Sequence, residues 1–133
     1  MGLVQPTVGK GWLSFELTGQ ADHAAGESVG HILNPEGGSI IVTRCVVYGI
    51  TNSTGAANLT IGVGATVAAA HDDATIFAAA AQAASAGTAV EGLAHGDPAD
   101  ALPVVTAGQY IVACTSATSV GYTGRVHLEY IHI

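Results

Sequence analysis

The chain has 133 residues, a formal net charge of −7, and only 10% charged positions, of which three are basic: Lys10, Arg44 and Arg125. Three dispersed cations exclude the clustered Lys and Arg that neutralise nucleic-acid phosphates, and they equally exclude a polybasic membrane anchor. The length fits one domain, and a mean hydropathy of +0.45 with so little charge predicts apolar surface that other subunits cover in an obligate homo-oligomer.

Residues 1–11 read as a turn-rich N-terminal arm, and residues 12–133 as a single folded domain. The arm has no basic start followed by an apolar run, so no secretory signal is expected. Pro6 stands where a myristoylation signal needs Ser or Thr. The sequons at Asn52 and Asn58 therefore read as turn and strand residues. From Trp12 to Leu17 the pattern alternates, with Leu13, Phe15 and Leu17 on one face against Trp12, Ser14 and Glu16, the period of a half-buried strand. Residues 18–38 are polar and glycine-rich, with Asn34-Pro35-Glu36-Gly37-Gly38 as a turn, and they suggest an arm or binding loop.

Residues 39–51 are rich in β-branched side chains on both faces. Ile40, Val42, Val46, Tyr48 and Ile50 fall on one and Ile41, Thr43, Cys45 and Val47 on the other, so a central strand covered on both sides is expected. Arg44 is the exception and calls for a carboxylate or a neighbouring subunit. A loop at Thr51–Gly55 and a strand from Ala57 to Val63 complete a predicted hairpin. Residues 66–86 favour a short Ala-rich helix, capped at Asp72 or Asp73, burying Ile76, Phe77, Ala80, Ala81 and Ala84, and stopped by Gly87. The alternative is an extended Ala-rich strand and loop.

Strands return at Thr88–Glu91, Leu102–Thr106, Gln109–Thr115 and Tyr122–His132, with a tight turn at Ala107-Gly108. The last sets Val126, Leu128 and Tyr130 against Arg125, His127, Glu129 and Ile131, as on an edge or outer strand. The whole is all-β, a single β-sandwich or jelly roll.

Chemistry is sparse along this chain. His127 and Glu129 share a strand face, but there is no His-x-His to complete a cupin-like metal site, and the cupin-like metalloprotein is the third reading. Gly62 and Gly64 follow a strand without a phosphate-cradling motif and read as a bulge or a close backbone approach. Cys45 and Cys114 lie inside apolar strands, with no zinc spacing, and read as free, inert thiols. Asp72-Asp73 and Asp97/Asp100 are loop carboxylates without an apolar pocket. Trp12, Tyr48, Tyr110, Tyr122 and Tyr130 are dispersed, as packing residues are, rather than gathered into a sugar-stacking platform. No catalytic residues, cofactor or metal are expected.

From Gly38 onward the chain resembles the small head decoration (cement) proteins of tailed bacteriophages and related virion proteins. The resembling stretches are Ser39–Tyr48, Thr51–Thr54, Ala57–Val63, Asp72–Phe77, Ala107–Ile111 and Gly124–Ile131, spanning about 95 residues. That resemblance implies a subunit made in the host cytoplasm, often trimeric, seated on the capsid exterior and clamping the major capsid protein. A head-fibre base or tail protein with host-glycan binding is the alternative. Partner-binding residues are expected at Val4 and Pro6 in the arm, at Trp12, and at His23, His31 and Pro35 in the glycine-rich stretch.

Overall fold

The computed structural model describes residues 9–21, 27–71, 73–81, 86–93 and 101–133. Nine strands follow in order: β1 (Lys10–Thr18), β2 (Gly30–Leu33), β3 (Ile40–Thr51), β4 (Asn58–Gly64), β5 (Phe77–Ala81), β6 (Ala89–Glu91), β7 (Val104–Val105), β8 (Tyr110–Thr115) and β9 (Thr123–His132). They form two antiparallel sheets. The first has the order β1-β9-β3-β6, with the two-residue β7 also paired to β3, and the second has the order β2-β8-β4-β5. Setting β7 aside, this is the strand order of an eight-stranded jelly roll, in which successive strands other than β4 and β5 cross between the sheets. The all-β sandwich read from the sequence is the observed fold.

The core lies between the sheets. Leu13, Leu17, Ile40, Val42, Cys45, Val47, Val105, Val126 and Leu128 project inward from the first sheet to meet Leu59, Ile61, Phe77, Ile111 and Ala113 from the second. Burying an aliphatic side chain of this size is worth about 1.5–3 kcal/mol, and that burial rather than polar contact drives the two sheets together. Asn34 ties the turn after β2 to the end of β7. It is buried, its Nδ2 lies 3.0–3.1 Å from the carbonyl oxygens of Gly38, Val105 and Thr106, and its Oδ1 accepts from the Glu36 amide at 2.9 Å.

Five expectations are corrected. Among the described residues there is no helix in 66–86. Residues 66–71 make a single turn, with the Ala70 amide bonded to the Thr66 carbonyl at 3.2 Å, and Phe77–Ala81 is a strand on β4. Asp73 does not cap a helix but accepts from the Thr75 amide at 2.8 Å in an Asx turn. Alanine's helix propensity is a few tenths of a kcal/mol per residue. Full burial of Ile76 and Phe77 against β4 outweighs it.

Second, β3 and β4 lie in different sheets, so the loop between them crosses the sandwich instead of closing a hairpin. Third, β3 carries a bulge: Val42 pairs with Tyr130 and Arg44 with Glu129, leaving Thr43 extra. The bulge reverses the alternation, so that Ile40 and Val42, then Cys45 and Val47, all point inward, and the other face of the strand is not covered by the described residues. Fourth, part of the 18–38 stretch is the strand β2, paired to β8. It is only four residues long and begins at Gly30, where a Cβ would collide with the carbonyl oxygen of Glu16. Fifth, β9 is an interior strand between β1 and β3, although its inward and outward residues alternate as expected.

Candidate interaction surface

The two outer faces of the sandwich differ. On the second sheet, Val112 and Cys114 of β8 point outward yet are buried in one cluster with Ala70 of the 66–71 turn, with Val67 and Tyr110 packed at the margin and the Glu27 carbonyl oxygen 3.7 Å from Cys114 Sγ. Gly62 and Gly64 of β4 make that cover possible. A Cβ at Gly62 would fall on Asp73, and one at Gly64 would come within 2.7 Å of the Ala70 amide nitrogen. Close backbone approach is therefore what both glycines provide.

The outer face of the first sheet has no such cover among the described residues. Register sets its residues in four rows: Lys10, Ile131, Ile41 and Val104; Trp12, Glu129 and Arg44; Ser14, His127, Val46 and Glu91; Glu16, Arg125, Tyr48 and Ala89. Trp12 is 68% exposed, and Tyr48 (45%), Val104 (48%) and Ile131 (37%) are also open to solvent. Apolar groups of this size side by side on a small domain mark a contact surface. Beside the β3 bulge the face dips into an open hollow of about 600 Å³ lined by Lys10, Trp12, Thr43, His127, Glu129 and Ile131. The indole of Trp12 leans over the His127 imidazole, with ring centroids 5.7 Å apart.

All three cations of the chain stand on this face. Arg125 pairs with Glu16 at 3.0 Å, and Arg44 finds the carboxylate expected of it, Glu91, at 3.6 Å. Lys10, Arg44 and Arg125 are matched in number by Glu16, Glu91 and Glu129, so the face is formally neutral. The seven remaining carboxylates, Asp22, Glu27, Glu36, Asp72, Asp73, Asp97 and Asp100, belong to segments outside its strands and account for the whole net charge of −7.

Of the expected partner-binding residues, Val4, Pro6 and His23 lie outside the described residues. Trp12, His31 and Pro35 are exposed along the side of the sandwich where β1 and β2 run next to each other. The Thr18 amide bonds to the Val29 carbonyl at 2.8 Å, joining the two strands at one end. At the other end Gly11 packs on the ring of Tyr130, whose hydroxyl donates to Glu36 Oε1 at 2.6 Å, one residue from Pro35. His31 stands on the opposite outer face from Trp12, near Tyr110 and bonded through Nδ1 to Ser28 Oγ at 2.9 Å. Sequence reasoning missed Tyr48, Val46 and Val104 as surface residues, because unbroken alternation placed Val46 and Tyr48 with the buried Ile40 and Val42.

Neither thiol is placed to react. Cys45 lies in the main core, where burial, helped by the nearby Glu91 carboxylate, pushes its pKa up to about 12. Cys114 is buried on the other side of the second sheet, so the two thiols do not face each other and no disulfide joins them. His127 Nε2 and Glu129 Oε1 are 3.9 Å apart, but the described residues contain no cluster of three or more metal-ligating side chains.

The architecture defines a jelly-roll β-sandwich with one closed and one open outer face. No protein-family model and no curated protein matches the chain. Solved structures do. A chain of the capsid of Ralstonia phage GP4 superposes with a TM-score of 0.60 at 19% identity, over 100% of this chain and 91% of that one. A chain of the cyanophage Pam1 capsid asymmetric unit gives 0.54 at 19% identity, over 100% and 94%. A chain of the acid-stable capsid of Helicobacter pylori bacteriophage KHP30 gives 0.48 at 12% identity, over 92% of each. At these identities the first two matches establish a shared fold across the full length.

Proposed function

We propose that this chain is a virion structural protein of a tailed bacteriophage, a decoration subunit seated on the outside of the capsid lattice. The observation that carries the reading is the full-length likeness, without large insertions on either side, to chains of two phage capsids. The sequence resemblance to head decoration proteins points the same way, and so do the inert thiols and the uncovered apolar face. In this reading the subunit is trimeric and grips the major capsid protein along the β1–β2 side, with Trp12, His31 and Pro35 in contact and Val4, Pro6 and His23 from the flanking segments joining them. Its mechanism is mass action: a subunit that binds only the mature shell stabilises that shell by its binding free energy, about 2.7 kcal/mol per site when present at a hundredfold excess over Kd.

The test is to add purified protein to mature shells assembled without it and to follow the temperature at which they rupture. Saturable binding with a raised rupture temperature is expected. Shells that neither bind the protein nor gain heat resistance would rule the role out.

A further inference from the structure

We infer that the outer face of the first sheet, centred on Val46 and Tyr48 of β3, is the surface through which one copy of this chain docks onto a second copy. Charge selects the face. Any neighbour of this chain that is another copy brings seven uncompensated carboxylates, and like charges juxtaposed across an interface oppose association. Among all the strands and loops, this face alone presents cations, and it presents all three, Lys10, Arg44 and Arg125, in balance with three glutamates. It is therefore where an acidic copy is met without net repulsion.

Size agrees. The three long strands β1, β9 and β3 span roughly 14 Å by 30 Å at ordinary strand spacing and rise, and β6 and β7 widen the patch to roughly 500 Å² in flat projection. With side-chain relief added, that is of the order of the ~800 Å² per partner of a standard interface. The composition also fits. Aliphatic Ile41 and Val46 and aromatic Tyr48 follow one another along β3, with Arg44 between the two aliphatics and Arg125 paired across from Tyr48, the residue types that anchor protein contacts. The matching face of the second sheet is already occupied by residues 66–71 of the same chain. This inference rests on the trimeric state in the proposed reading, but it concerns the purified protein, so its failure is distinguishable from a failure to bind shells.

Sedimentation velocity of the full chain across a micromolar concentration series tests it, with two variants. Tyr48→Asp places a carboxylate at the centre of the patch and is expected to weaken self-association at least about 30-fold, since a central anchor contributes a hot-spot-sized share of binding. Arg44→Glu turns the neutral face acidic and is expected to weaken association at 0.05 M salt, with recovery at 0.5 M as screening shortens. Circular dichroism and the thermal midpoint of the dilute variants should match wild type, because both side chains are about half exposed. A monomeric wild-type protein throughout the series overturns the inference. So do variants that assemble as tightly as wild type, including any that assemble normally while failing to bind shells.

Discussion

The two outer faces of this sandwich solve one problem in opposite ways. On the second sheet the chain covers itself: two glycines on β4 let Ala70 and Asp73 lie directly on the strands, and Ala70 is buried in one cluster with Val112 and Cys114. On the first sheet no segment of the described chain returns to cover the strands, and Trp12, Tyr48, Val104 and Ile131 stay open among six charged side chains that cancel. The contrast shows how a chain with 10% charged residues remains a defined subunit: it closes one apolar face internally and reserves the other, edged with its entire supply of cations, for protein.

Breaking the closed face should cost most. Gly62→Val drives a branched side chain into Asp73, and overpacking of this kind costs about 1–3 kcal/mol. Urea unfolding should show the lower midpoint, and side-chain oxidation under native conditions should rise at Val112, which pairs with Gly62, while Cys45 stays silent. An unshifted midpoint with Val112 still protected would mean that the cover is not held by the close approach at Gly62.

High pH probes the interior of the first sheet. Burial raises Cys45 from 9.0 to about 12, and burial together with the Glu36 hydrogen bond raises Tyr130 from 10.0 to about 12. Both groups hold their protons more tightly folded than unfolded. The stability they contribute is complete below the unfolded values and is lost as pH climbs from about 9 through 12. Tyr130→Phe should remove the upper part of that loss in a pH series of thermal midpoints, and a midpoint indifferent to pH from 9 to 12 would contradict both assignments.

Changes on the open face should barely touch the fold. Arg125→Ala removes an exposed ion pair with Glu16 and should cost about 0.2–1 kcal/mol, fading as salt is added. Tyr48→Ser should be smaller still, within about 0.5 kcal/mol for the isolated subunit by urea unfolding. A loss of several kcal/mol would show that Tyr48 belongs to the fold and not to a surface awaiting a partner.

The same contrast explains what could be read from the sequence. Leu13 and Leu17, and Val126 and Leu128, alternate cleanly, and their strands and inward faces were legible because period-two patterning is local. β3 was recognised as a strand but its faces were not. Thr43 looks ordinary in sequence, and the bulge there depends on how β3 meets β9, which only pairing reveals. β2 was hidden by its brevity and by Gly30, whose role is to let the Glu16 backbone pass close by. Residues 66–86 misled for a similar reason, since alanine fits a helix, a strand or a cover, and the buried Ile76 and Phe77 decide among them. Of the candidate site, Trp12 was legible as a residue on the polar side of its strand. The gathering of Lys10, Arg44 and Arg125 on one face was not, because it joins three strands spread over 116 positions of the chain.

The central claim, that the first sheet's outer face is covered by protein while the second sheet's is closed by its own chain, is tested most directly by side-chain footprinting. Hydroxyl-radical oxidation of the chain as a dilute subunit would be compared with that of the same chain in its assembled state. Strong protection of Trp12, Tyr48 and Ile131 on assembly is predicted, with Val67 and Tyr110 reacting equally in both. Equal oxidation of Trp12 and Tyr48 in both states, or protection confined to the second sheet, would contradict the account.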